Sequence, residues 1–196
     1  MYMKKHQNCQ NNRTNRIALV ALLAIAITAM LGLAYGKKRL KHAGVRMLPN
    51  FKLTSSAFKS DEPIPEKYTC KGANVSPPLS ISGTPDATAS LALVVHDPDA
   101  PSGDFLHWAL WNIHPNITNI TENKVPTGAM QGNNDFGETG YGGPCPPSGT
   151  HHYEFDLYAL DSELDLPAGA NRTDVMKAIT THAIGKTHLV STCTAG

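Results

Sequence analysis

Hydrophobic and polar positions along this chain fall into three patterns. The first is one continuous apolar run, Ile17–Tyr35 (IALVALLAIAITAMLGLAY), uncharged, with Thr28 and Tyr35 as its only polar side chains. As a helix it would reach about 28 Å, one hydrocarbon core. It predicts a transmembrane anchor or an export signal rather than a buried core helix. Ala34 and Gly36 put small residues where a signal peptidase cuts, whereas the basic KKRLK that follows favours an uncleaved anchor. Basic residues on both sides leave the orientation open.

The second pattern is strand-like. SLALVVHD is a continuous aliphatic run ending at Asp-Pro. HWALWNI alternates, with His107, Ala109, Trp111 and Ile113 on one face and Trp108, Leu110 and Asn112 on the other. HHYEFDLYAL sets Tyr153, Phe155, Leu157 and Ala159 against Glu154, Asp156 and Tyr158. FKLTSSAF, LSISG and THLVST predict further short strands. One soluble helix is expected, N-capped near Asn171 or Thr173, with Val175, Met176, Ile179 and Ala183 on one face and an end at Gly185.

The third pattern lacks periodicity. Glu62–Pro78 holds four prolines, and Pro126–Thr150 holds seven glycines and four prolines. A loop as long as the second is commonly functional. The domain reading is a basic polar tail at 1–16, a transmembrane or signal segment at 17–35, a basic linker at 36–50 and a mainly β domain at 51–196.

Charge sharpens this division. The overall formal charge is +1, yet the first 46 residues carry nine Lys/Arg and no Asp or Glu, and the rest carries eight against sixteen. An acidic body argues against nucleic-acid binding, which needs cations to replace phosphate counterions. The basic leader flanks the apolar run and reads as membrane-proximal. An exported domain, extracytoplasmic or periplasmic, follows from that leader. Cys70, Cys145 and Cys193 lie in the body and allow three single pairings, Cys70–Cys145 among them. No CxxC or Cys/His spacing suggests zinc, and no cofactor is expected.

Three segments concentrate polar chemistry. In His96-Asp97-Pro98-Asp99-Ala100-Pro101, prolines stiffen the exit from a strand, and Asp97 alone would suit a simple Asp-Pro turn. His107 opens the next strand, where alone it would suit a satisfied core histidine. In YGGPCPPSGTHHY, glycines can let backbone N–H groups approach a ligand, and His151 and Tyr153 share a face. Together Asp97, Asp99, His107, His151 and Tyr153 could line one pocket of imidazole, phenol and backbone donors. Its carboxylates would keep the histidines oriented and protonated. Such a pocket suits phosphate, a phosphoryl headgroup or a carboxylate.

DPDAP, the histidine on the next strand, GPCPPSG and the His-x-Tyr after it resemble the phosphatidylethanolamine-binding proteins. KYTCKGANVSPPL and QGNNDFGETGYGGPCPPSG are similar to the bacterial, Raf-kinase-inhibitor-like branch in particular. The resemblance spans roughly Phe51 to Thr192. It implies a large central antiparallel sheet, a smaller flanking sheet, a C-terminal helix and an anion pocket at one sheet end. It assigns Asp97, Asp99, His107, His151 and Tyr153 to that pocket, with Gly143 and Pro147 shaping its loop. It also implies phosphorylated headgroups, nucleotides or small anions as ligands, with inhibition of a kinase or protease as the alternative role. The chain departs from the pattern at His152, where the family has arginine, at His96, where the bacterial branch often has an acid, and at Cys193. No nucleophile elbow, HExxH or Walker-type loop is present, so binding is expected rather than catalysis, with a metal-assisted hydrolase as a further alternative.

Overall fold

A computed structural model describes residues 45–196 of the chain. The expected tail, apolar segment and most of the linker lie outside those residues. Among the described residues, no helix is long and apolar enough to cross a membrane.

The described residues form eight strands, one short 3₁₀ turn and one helix. They are β1 (Lys52–Thr54), the 3₁₀ turn (Glu66–Tyr68), β2 (Leu79–Ser82), β3 (Ser90–Asp97), β4 (Phe105–Ile113), β5 (Asn119–Ile120), β6 (Met130–Gln131), β7 (Thr150–Leu160), α1 (Arg172–His182) and β8 (Ala183–Thr194). The large sheet is antiparallel in the order β6-β4-β3-β7-β8, and the small sheet runs β1-β2-β5. The mainly β architecture with one C-terminal helix is the expected one.

Alternation along the strands builds two cores, one on each face of the large sheet. Leu91, Leu93, Val95, Trp108, Leu110, Phe155 and Leu157 meet Leu53, Leu79 and Ile81 from the small sheet and Phe51 just before it. On the other face Ala92, Val94, Ala109, Trp111, Tyr158 and Leu160 meet Val175 and Ile179 of α1. With both faces covered, β3 is buried at nearly every position, which is why it reads as a continuous aliphatic run.

Three expectations change. Packing begins before Phe51: Leu48 and Val45 join the two cores, and the backbone of Arg46 and Leu48 bonds to Lys186 at 2.9 and 3.2 Å. Leu48 and Val45 are two of the apolar positions in a largely basic stretch. Secondly, α1 stops at His182, not Gly185, and turns directly into β8 through Ala183, whose backbone is extended (φ −68°, ψ 125°). Gly185 serves close packing instead, because a Cβ there would lie 2.2 Å from the Leu48 side chain. Thirdly, Pro126–Thr150 is not structureless. It carries β6, and buried Asn134 ties it together by accepting from the N–H groups of Phe136 and Glu138 and donating to the Gly140 carbonyl.

The N-cap of α1 is Asn171, whose side chain accepts from the Asp174 N–H at 3.0 Å. Asn171→Ala should cost about 1 kcal/mol, read as a lower urea midpoint with unchanged slope.

Candidate functional site

The C-terminal end of β3 and the N-terminal ends of β4 and β7 meet at one end of the large sheet. Asp97 pairs with Phe105, and His96 pairs with Glu154. Asp97 and Tyr153 therefore share a face, on the side of the small sheet. Asp97 is buried and uses both carboxylate oxygens. Oδ1 accepts the Asp99 N–H at 2.9 Å, closing the Asp-Pro turn. Oδ2 accepts from Nδ1 of buried His151 at 2.7 Å. A carboxylate can only accept here, so the His151 proton sits on Nδ1 and Nε2 makes no hydrogen bond among the described residues. The turn expected of Asp97 is present, and the same carboxylate also meets His151.

His107 arrives by a different route. Simple alternation puts it with Ala109 and Trp111, on the helix side. The β3–β4 register, however, pairs Val95 with Trp108 and His96 with Leu106, leaving His107 as an extra residue in β4. A bulge of this kind bends the strand and re-aims a side chain. The ring accordingly packs edge-on to Tyr153, centroids 5.1 Å apart, and Nδ1 donates to the Gly142 carbonyl at 2.7 Å. A second irregularity, with Asn112 at φ 56°, likewise moves Ile113 to the small-sheet side.

His107 is not held protonated by a carboxylate. Burial pushes its pKa below the ordinary 6.5, against opposing pulls from the Gly142 carbonyl and the Asp97 charge. Asp99, at the exposed rim, behaves as an ion. The backbone N–H of His152 and then its ring hold the Asp99 carboxyl below the usual carboxylate range, through contacts of 2.8 and 2.7 Å. His152, in place of the family's arginine, thus closes the rim onto Asp99.

Tyr153 is fully buried, and its hydroxyl has no hydrogen-bond partner among the described residues. Burial first, then the nearby Asp97 charge, raises its pKa, so the phenol keeps its proton. Cross-strand from it, the Ser191 hydroxyl is also buried and unpaired, and Cys193, the free buried thiol, stands opposite His151. Buried hydroxyls are normally satisfied. Two unpaired ones beside an Asp–His pair mark a place where a polar group could be received.

The loop after β6 closes the site. Its Gly143 N–H donates to Asn74 Oδ1 at 2.7 Å, its Tyr141 hydroxyl donates to the Tyr68 carbonyl at 2.7 Å, and its Cys145 forms a disulfide with Cys70. A Cβ on Gly143 would meet the Tyr68 carbonyl oxygen at 2.5 Å, so only glycine allows this approach. Pro147 lies exposed, unlike Gly143 in the same loop. Sequence reasoning missed Asn74, whose backbone sits at φ 53°; an Ala-Asn-Val in a polar loop carries no sign of a long-range tie. It also missed Phe136, half-exposed and packed against Phe105 and His107 at 4.8 and 5.3 Å between centroids.

Comparison with known proteins agrees with the fold. Residues 54–194 match the family model described as phosphatidylethanolamine-binding protein. A UPF0098 protein of Methanothermobacter thermautotrophicus is 49% identical over 143 residues, 70% of this chain and 95% of that protein. A Mycobacterium tuberculosis protein, LppC, named as a candidate lipoprotein, is 44% identical over 142 residues, 71% of this chain and 70% of its own. Among solved structures, YbcL of E. coli, described as a member of the mammalian family, superposes with a TM-score of 0.72. It is 34% identical and spans 75% of this chain and 99% of its own. The chain belongs to the phosphatidylethanolamine-binding protein family.

Proposed function

We propose that this domain binds a small anion, a phosphoryl group or a carboxylate, between Tyr153, His151 and His107, with Asp97 orienting His151. The observation that carries the reading is the Tyr153 hydroxyl: buried, protonated and near Asp97, yet without a well-formed hydrogen bond among the described residues. It is a donor in want of an acceptor. Neutral His107 offers Nε2 as an acceptor, which a singly protonated phosphoryl group can satisfy with its own O–H. Once protonated, the same nitrogen donates to any anion.

Acid should therefore tighten anion binding. Sulfate keeps its charge across this range and makes a clean probe. Titration calorimetry should give higher sulfate affinity at about pH 5.5 than at about pH 8, and His107→Gln should flatten that difference. Equal affinities in the wild-type protein would sink the role given to His107. Stability should move the other way. The unfolded chain holds this proton more tightly than the folded one, so the neutral ring's contribution is complete above the ordinary 6.5 and is lost as pH falls below it toward the lower folded value.

We place the domain outside the cytoplasm. Three features support this: the apolar segment 17–35, the disulfide, which needs an oxidising compartment, and the candidate-lipoprotein name of one relative.

A further inference from the structure

A second polar cluster occupies the opposite face of the large sheet. His96 and Asp156 alternate with Asp97 and Phe155, so they point away from the anion site and toward the helix side. His96 Nε2 faces Asp156 Oδ2 at 3.6 Å and Glu154 Oε2 at 3.8 Å. Both spacings exceed a hydrogen bond. They are near the ~3.4 Å edge of a tetrahedron whose metal–ligand bonds are about 2.1 Å. One ligand atom from each of the three residues lies within 4.8 Å of the others.

Two independent observations point the same way. Asp156 is almost fully buried, yet its Oδ1 has no hydrogen-bond partner among the described residues, although Lys186 and Tyr158 both reach Oδ2 at 2.5 and 3.0 Å. The Lys186 ammonium meets this carboxylate only through Oδ2, which leaves the buried Oδ1 open to a further cation. On the far side of the ring, His96 Nδ1 contacts Asp104 Oδ1 at 2.5 Å, and Arg172 in turn holds Asp104. A carboxylate on the distal nitrogen is how proteins orient a metal-binding imidazole.

We propose that His96, Glu154 and Asp156 form a divalent-cation site, with Asp104 as the residue that positions the His96 ring. One nitrogen and two carboxylate oxygens suit a zinc-class first-row cation. Glu154 is a third exposed, which leaves a way in and a place for water as the fourth ligand. This goes beyond the anion reading and does not depend on it.

Zinc binding to the purified full chain, measured by competition with a chromophoric chelator, tests it. One equivalent should bind, and substituted cobalt should give the intense visible absorption of a four-coordinate centre. Glu154→Gln and His96→Gln should each weaken binding at least tenfold. Asp104→Asn should weaken it by about 10–100-fold with the cobalt spectrum retained. Glu154 is partly exposed, so its variant should fold, and a thermal melt checks that. No stoichiometric binding would show an ion-pair network complete without a metal and would overturn the proposal. So would binding that survives Glu154→Gln and His96→Gln but is lost on substitution of His151 or His152.

Discussion

Replacing Cys70 and Cys145 together by serine should lower stability by about 2–4 kcal/mol. In a domain of this size that is a fall of about 5–15 °C in thermal midpoint. The bond joins residues 75 apart in sequence, a long loop for the unfolded chain to hold closed. The same two segments are also held by Cys70 N–H to the Pro144 carbonyl, Tyr141 hydroxyl to the Tyr68 carbonyl and Gly143 N–H to Asn74. Those three hydrogen bonds, each worth roughly 1 kcal/mol net, survive the substitution. The native site should therefore persist in the folded fraction, and the loss should come chiefly from a freer unfolded chain. A urea series with circular dichroism checks it. A loss below about 1 kcal/mol would mean that the unfolded chain keeps the two segments together without the bond.

Asp97→Ala should do more local damage, about 3–5 kcal/mol together with loss of anion binding. The carboxylate satisfies two groups at once, the His151 ring and the Asp99 N–H. Truncation leaves a buried imidazole N–H unmatched and opens the Asp-Pro turn. Asp97→Asn keeps an acceptor for one of the two and should fall between wild type and alanine. If alanine and asparagine cost the same small amount, water must reach Asp97 freely, and the buried character of the site would be wrong.

Much of this was legible in the residues. β7 follows its alternation: Tyr153, Phe155, Leu157 and Ala159 enter one core, and Tyr158 and Leu160 the other. β3 announces itself as a strand covered on both faces. What could not be read follows from two physical causes. Bulges shift alternation by one residue, and nothing in FLHWALWNI marks His107 as the extra residue that crosses to the other face. Ties between distant loops leave no local pattern either. Asn74 and Asn134 look like ordinary loop residues, and the two-residue strands β5 and β6 are too short to show a period. For the site, the motifs grouped Asp97, His107, His151 and Tyr153, and the fold brings these four side chains together, whereas the ring partner of His107 is a carbonyl. A backbone partner has no side chain for a sequence to display, and with it the expected protonation of His107 changes.

The disulfide illustrates the same limit. Three thiols permit three pairings, and neither spacing nor composition selects one. In the fold Cys70 pairs with Cys145, and Cys193 stays a free buried thiol on β8, opposite His151.

The most direct measurement of the central claim is NMR of the histidine ring protons during titration with inorganic phosphate and O-phosphorylethanolamine. His107 and His151 should shift together and saturably, while His114 and His188, remote from the site, stay still; Tyr153→Phe should weaken the response at least tenfold. Saturable shifts with phosphate alone would identify a free anion as sufficient, and a stronger response to O-phosphorylethanolamine would identify a headgroup. Rings of His107 and His151 that stay fixed through both titrations would contradict the account.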